Sequence, residues 1–149
     1  MKEITIDYAL RATWQAVARM YNEEARQFGA TMAVGFTLLS IDPKTGTPST
    51  ALGPKMGMEP TSLSRILKSM EEKGLIVRKP NPEDGRSVLI HLTDFGLEKR
   101  TDSKDVVLRF NEVVKAGVSE DHLQGFFEVI DVINKLISEK KIYNRNTTT

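Results

Sequence analysis

The stretch PTSLSRILKSMEEK, Pro60 to Lys73, followed by Gly74, decides how the chain is read. Wound at about 100° per residue, it brings Leu63, Ile66, Leu67 and Met70 to one face, and these four are predicted core. Thr61, Arg65 and Lys68 fall on the opposite face, with Ser62, Ser64 and Ser69 flanking them. Pro60 is pre-set for a first helical turn, and Gly74 suits the residue that closes a helix. A merely solvated face would be denser in Glu and Lys; Glu71 and Glu72 come only at the far end. Hydroxyls can bond base edges or phosphates, a guanidinium can pair with guanine through two bonds, and an exposed helix N-terminus favours phosphate. The face suits a DNA groove, although an ordinary polar helix face would share much of its pattern.

Downstream, Leu75–Lys79 and Ser87–Leu92 read as two strands, and the prolines and Asp-Gly pair between Pro80 and Arg86 mark a hairpin tip. Val88, Ile90 and Leu92 alternate with Leu89 and His91, as in a half-buried strand. Asp84 stands two residues before Arg86 at the tip, with Arg78 and Lys79 on the approaching strand. The carboxylate is expected to hold the Arg86 guanidinium in one orientation, and an arginine so aimed suits a narrow, electronegative minor groove. The competing explanation is a turn-stabilising ion pair of little energetic worth.

Upstream, Ser49–Met56 reads as a helix ending at Gly57, so residues 49–73 are two helices joined by a tight turn. Gly53-Pro54 falls inside the first, where proline removes a backbone donor and glycine costs ~1 kcal/mol. A start at Pro54, with Ser49–Gly53 as a turn, is the alternative. Lys44–Pro48 reads as a loop. Thr31 N-caps a nearly all-apolar helix through Ser40 or Ile41, stopped by Asp42-Pro43. Residues 5–28 form a helix with an apolar seam of Leu10, Trp14, Val17, Tyr21, Ala25 and Phe28, ended by Gly29.

After the hairpin, Thr93 opens a long helix as its N-cap, with Asp94 in the first turn, and Gly117 breaks it. Ser119 caps a last helix that is apolar on two sides. Phe126, Phe127, Ile130, Ile133 and Ile137 form one stripe, and Val129, Val132 and Leu136 the other. One domain has little left to cover the second side, so this helix is expected to be shared with a partner subunit rather than wrapped by its own domain. The polar tail Asn144–Thr149 is expected to be disordered on its own. The order of elements is that of a winged helix-turn-helix set inside a helical frame.

Composition narrows the function. The 149 residues suffice for a core without disulfides or metals, and 40% hydrophobic with 28% charged residues is too apolar for a disordered chain. Zero cysteines exclude a disulfide framework, a thiol nucleophile and an iron–sulfur site. His91 and His122 are the only imidazoles and sit in no ligand-spaced cluster, so no metal is expected. No Ser/His/Asp set or phosphate loop appears, which leaves an enzyme poorly supported, with no catalytic residues and no cofactor expected. The charged N-terminus Met1-Lys2-Glu3 shows no signal peptide, and the uncharged run Phe28–Ile41 is well short of the ~20 residues that span a bilayer. A cytoplasmic protein without membrane association is expected. The net charge is +1, with ten basic and seven acidic side chains in residues 44–100. That balance gives no nucleic-acid footprint and is the best support for a second class of function, a winged-helix protein-interaction module without DNA binding.

The segment LGPKMGMEPTSLSRILKSMEEKGLIVRKPNPEDGRSVLIHLTDFG, residues 52–96, resembles the MarR family of winged-helix regulators. Its most specific pieces are Leu63-Ser64-Arg65, Leu67 with Glu71 to Ile76, Asp84 to Ser87, and Leu92-Thr93 followed by Gly96. The flanking helices match the family's length and layout. The resemblance implies a mainly α fold: one MarR-type domain over residues 1–149, with a winged helix-turn-helix DNA-binding lobe and a dimerisation lobe made by the N- and C-terminal helices. The dimerisation helices would be about 5–28 and 119–142. The winged helix-turn-helix would be about 31–96, with the helix-turn-helix at about 50–73 and the wing at about 75–92.

The resemblance also implies a homodimer whose terminal helices interlock. It puts Thr61, Ser62, Ser64 and Arg65 at the major groove and Asp84 and Arg86 on the wing in the minor groove; Lys68 joins them from its place on the Arg65 face. The function implied is sequence-specific binding of double-stranded DNA at a palindromic operator by a transcriptional regulator, by family habit a repressor. A small-molecule effector held between the DNA-binding lobe and the dimer helices is implied as well. Trp14, Tyr21, Phe28, Phe36 and Phe110 would line that cavity, although aromatics at helical spacing more often serve as plain core. The missing cysteines argue against a thiol-based peroxide-sensing subtype.

Overall fold

Hydroxyl caps set four helix starts, with Thr93 accepting from Gly96 N–H at the start of the fifth helix. Thr5, Thr31 and Ser119 each accept a hydrogen bond from the backbone N–H three residues on, at Tyr8, Val34 and His122, which satisfies one of the orphan donors of a first turn. The computed structural model describes residues 3–143, and the expectation for the tail Asn144–Thr149 lies outside them. The elements run α1 (Ile6–Arg26), α2 (Met32–Ser40), β1 (Thr47–Pro48), α3 (Ser49–Met56), α4 (Pro60–Glu72), β2 (Ile76–Pro80), β3 (Val88–Leu92), α5 (Asp94–Ala116) and α6 (Glu120–Ser138). They divide into two compact units, Met1–Val107 and Leu108–Thr149, with α5 running from the first into the second.

In the first unit, a three-stranded antiparallel sheet in the order β1-β3-β2 stands beside the helices. β2 and β3 form the wing in a continuous register from Ile76 opposite Leu92 to Pro80 opposite Val88. The Lys44–Pro48 stretch is not all loop: Thr47 and Pro48 pair with Ile90 and Leu89. Two residues show no periodicity, and proline is tolerated here because β1 is an edge strand. Just before it, the Asp42 carboxylate accepts from the N–H groups of Thr45 and Lys44 at 3.0 and 2.8 Å. These bonds hold its pKa below the ordinary carboxylate value.

The core of this unit is built from Val34, Leu38, Ile41, Leu52, Leu63, Leu67, Met70, Leu75, Ile76 and Ile90, with Ile66, Val88 and Leu92 packed against it. Fully burying one such side chain contributes about 1.5–3 kcal/mol. The helix-turn-helix keeps its first helix intact from Ser49, so the alternative start at Pro54 is wrong. Gly53 explains why. It is buried, and a Cβ there would lie 3.3 Å from the Met58 carbonyl oxygen, so glycine lets the turn into α4 fold close against α3. The same residue's carbonyl accepts from Met58 N–H at 3.0 Å, while Gly57 closes the helix at φ 64°.

In the second unit α6 ends at Ser138, short of the expected 142. Lys140 takes a left-handed conformation at φ 55°, and Lys141 N–H bonds back to the Leu136 carbonyl at 2.9 Å. Ile142 therefore lies outside the helix and its seam. No residue of α6 is buried, and Phe126, Phe127, Val129, Val132 and Ile137 are each more than half exposed. Phe126 and Phe127 meet edge to face with ring centroids 5.4 Å apart.

Candidate nucleic-acid interface

α4 buries Leu63, Leu67 and Met70 and leaves Thr61, Ser62, Ser64, Arg65 and Lys68 exposed. Three- and four-residue spacing makes both outcomes follow from one helix, since the apolar positions that face the core fix where the hydroxyls and cations point. Pro60 occupies the first turn and the Glu59 side chain makes no capping bond. The first-turn amides are thus not taken by a capping side chain, as an arriving phosphate would require. The C-terminal end closes on Gly74 at φ 75°, with Leu75 N–H bonded to the Met70 carbonyl at 2.9 Å.

At the wing tip Asp84, Gly85 and Arg86 are all exposed. Asp84 does not hold the Arg86 guanidinium as expected. Its Oδ1 accepts from the backbone N–H of Arg86 at 2.9 Å, and among the described residues no ion pair joins the two side chains. A carboxylate two residues back reaches the amide more directly than a long flexible side chain, the geometry of an Asx turn. Asp84 thus shapes the backbone that presents Arg86. The tip is further fixed by Asn81, which donates from Nδ2 to Ser87 Oγ at 3.0 Å and accepts from Glu83 N–H at 3.0 Å.

Sequence reading missed a direct link between wing and helix. Arg78 Nε on β2 lies 3.3 Å from Glu71 Oε2 on α4, with both side chains partly exposed. Such a pair is worth about 0–1 kcal/mol, so it biases the wing's pose more than it stabilises the fold. Glu71, which looked like the receding end of the helix face, is its partner. Spacing along the chain gives no signal for it, because the tight turn through Gly74 intervenes.

A cavity of about 50 Å³ lies within the first unit. Of the five aromatics expected around an effector, Tyr21, Phe28 and Phe36 line it. Trp14 is 54% exposed, and Phe110 belongs to the second unit. Tyr21 and Phe36 meet edge to face at 5.7 Å, and burial pushes the Tyr21 phenol above its ordinary pKa. Lys99 brings charge to the lining: its Nζ sits 5.9 Å from the Phe28 centroid, 5.6 Å from that of Phe95 and 3.7 Å from the Asp102 carboxylate. A drug-sized molecule needs ~300 Å³ or more, so the cavity would have to widen to admit one.

Among the described residues no group of three or more His, Asp or Glu gathers to hold a metal, and no helix is long and apolar enough to cross a membrane.

Comparison with known proteins places this geometry. Residues 31–88 match the family model described as the MarR family. A relative from Bacillus subtilis (strain 168), the uncharacterized HTH-type transcriptional regulator YdgJ, is 34% identical over 76 residues, 51% of this chain and 46% of its own. The chain thus spans about half the length of the curated relatives it matches. Two solved structures share the fold over nearly their whole length. One is a MepR–DNA complex from S. aureus, with a TM-score of 0.78 at 20% identity, covering 92% of this chain and 99% of that one. The other is the PcaV transcriptional regulator from Streptomyces coelicolor in complex with its natural ligand, with a TM-score of 0.74 at 22% identity, covering 91% and 98%.

Proposed function

We propose that this chain, whose residues 31–88 match the MarR family model, is a MarR-type, sequence-specific, double-stranded-DNA-binding transcriptional regulator. One observation carries the proposal: α4 turns every large apolar side chain inward and offers Thr61, Ser62, Ser64, Arg65 and Lys68 on an open face. In the proposed complex Arg65 pairs with a base, the three hydroxyls bond base edges or phosphates, and Lys68 adds charge. Arg86 enters the minor groove from the wing, presented by the turn that Asp84 stabilises.

The active species in this account is a homodimer reading a palindromic operator in the cytoplasm. Support comes from the exposed apolar side chains of α6 and from those of α1, where Ile6, Tyr8 and Trp14 are all more than half exposed. A two-fold axis would put two recognition helices about 34–36 Å apart, one turn of DNA. Repression, and modulation by a small molecule entering the cavity beside Lys99, complete the proposal.

Selecting bound duplexes from a random pool tests it. The expected result is an enriched inverted repeat with half-sites about 10 bp apart, bound with a steep dependence on salt. No enrichment and no salt-dependent shift of any duplex would leave a winged-helix protein-interaction module in its place.

A further inference from the structure

The first turn of α5 is fastened to the end of α4. The Thr93 hydroxyl donates to the Gly74 carbonyl at 2.6 Å, and the Thr93 amide donates to the Leu75 carbonyl at 3.1 Å. The same hydroxyl oxygen accepts from Gly96 N–H at 3.0 Å, so one atom both caps α5 and grips the turn that closes α4. Gly96 is buried against that turn, and a Cβ built on it would overlap the Leu75 carbonyl oxygen. Gly74 and Leu75 in turn bond back to the Glu71 and Met70 carbonyls at 3.0 and 2.9 Å. A continuous chain of hydrogen bonds therefore runs from the last turn of α4 to the first turn of α5.

Orientation at this end matters at the other. A 13-residue helix is about 20 Å long, so a tilt of about 10° about its C-terminus moves its N-terminal turn by about 3 Å. That is enough to break a hydrogen bond from Arg65 or the hydroxyls, which tolerate only a few tenths of an ångström. Given the DNA-binding role proposed above, we infer that Thr93 is a positioning residue whose hydroxyl, by tying the first turn of α5 to Gly74, fixes the angle at which α4 meets DNA. Thr93 touches no base in this account. Its contribution is to specificity, because phosphate contacts tolerate a small tilt and base contacts do not.

The two jobs of the hydroxyl can be separated. Thr93→Asp keeps an acceptor for Gly96 N–H and remains a good N-cap, but a carboxylate has no proton for the Gly74 carbonyl. Thr93→Ser keeps both. Thr93→Val, isosteric and uncharged, loses both. The full chain and each variant are titrated at one salt concentration against the duplex selected from the pool and against a random duplex, with thermal unfolding measured alongside. Thr93→Ser should match the parent. Thr93→Asp should remain folded, lose about tenfold or more on the selected duplex and less than about threefold on the random one, and Thr93→Val should show the same fall in the ratio. Added negative charge would weaken both duplexes alike, so the ratio of the two affinities isolates the loss of positioning. An unchanged ratio in a folded Asp or Val variant, or failure of both to fold, makes Thr93 structural only and overturns the inference. A parent that selects no sequence fails the DNA-binding proposal itself, before any variant is made.

Discussion

α4 and α6 are both amphipathic helices of one chain, and they leave opposite things exposed. In α4 the side chains of Leu63, Leu67 and Met70 are at most 6% exposed, and what remains outside is hydroxyl and cation. In α6 no side chain is buried, and Phe126, Phe127 and Ile137 are each more than half exposed. A helix whose apolar side is satisfied within its own chain is free to present polar groups to a polar ligand. A helix whose apolar side is not satisfied calls for protein. Burying the exposed parts of Phe126, Phe127, Val129, Val132, Leu136 and Ile137 on two copies, at roughly 1 kcal/mol each, yields on the order of 10 kcal/mol. Association costs about 4–15 kcal/mol, so in the proposed dimer α6 alone would supply only a marginal interface.

The largest expected effect breaks the α6 side of this contrast. Leu136→Lys should convert dimer to monomer or insoluble protein and weaken operator binding by roughly a hundredfold or more, because an ammonium would be stranded in an apolar interface. Sedimentation and duplex titration check it, and an intact dimer with full affinity would contradict the assigned surface. The α4 side is tested through its support: Leu52→Ala, in the fully buried core behind α4, should cost about 2–5 kcal/mol in chemical denaturation. A loss below about 1 kcal/mol would mean that the core is not packed as described.

Smaller effects sharpen the contrast at the polar face. Arg65→Ala should cost about 1–3 kcal/mol of specific binding and relax the preference at one base position per half-site. Equal weakening on selected and random duplexes would make Arg65 a phosphate clamp. Arg86→Ala should weaken binding by about 1 kcal/mol while fold and dimer persist, since an exposed wing tip buries little. Asp84→Ala should do part of the same damage by releasing the Arg86 amide, and fully additive losses in the double mutant would deny that the two are coupled.

How much of this was legible in the sequence depended on whether one element carried its own signal. α4 was legible because Leu63, Leu67 and Met70 repeat at helical spacing between Pro60 and Gly74, so the exposed placement of Arg65 and its neighbours followed. The wing was legible from the alternation of Val88, Ile90 and Leu92. What failed was whatever depended on fine backbone geometry or on a second element. Thr47-Pro48 is too short for a period and becomes a strand only because β3 is beside it. Lys140 ends α6 with no glycine to announce it. Residue order allowed Asp84 two partners on Arg86, and turn geometry chose the amide. The Arg78–Glu71 and Thr93–Gly74 links join groups that only the closed turn after α4 brings together.

In the proposed assembly the apolar face of α6 belongs to a two-fold partner and DNA is read by two copies of α4. Light scattering on the purified chain over a micromolar dilution series tests it most directly. Twice the mass of one chain is expected in free solution, and two chains per selected duplex. A single-chain mass throughout the series, with one chain per duplex at saturation, would contradict that assembly.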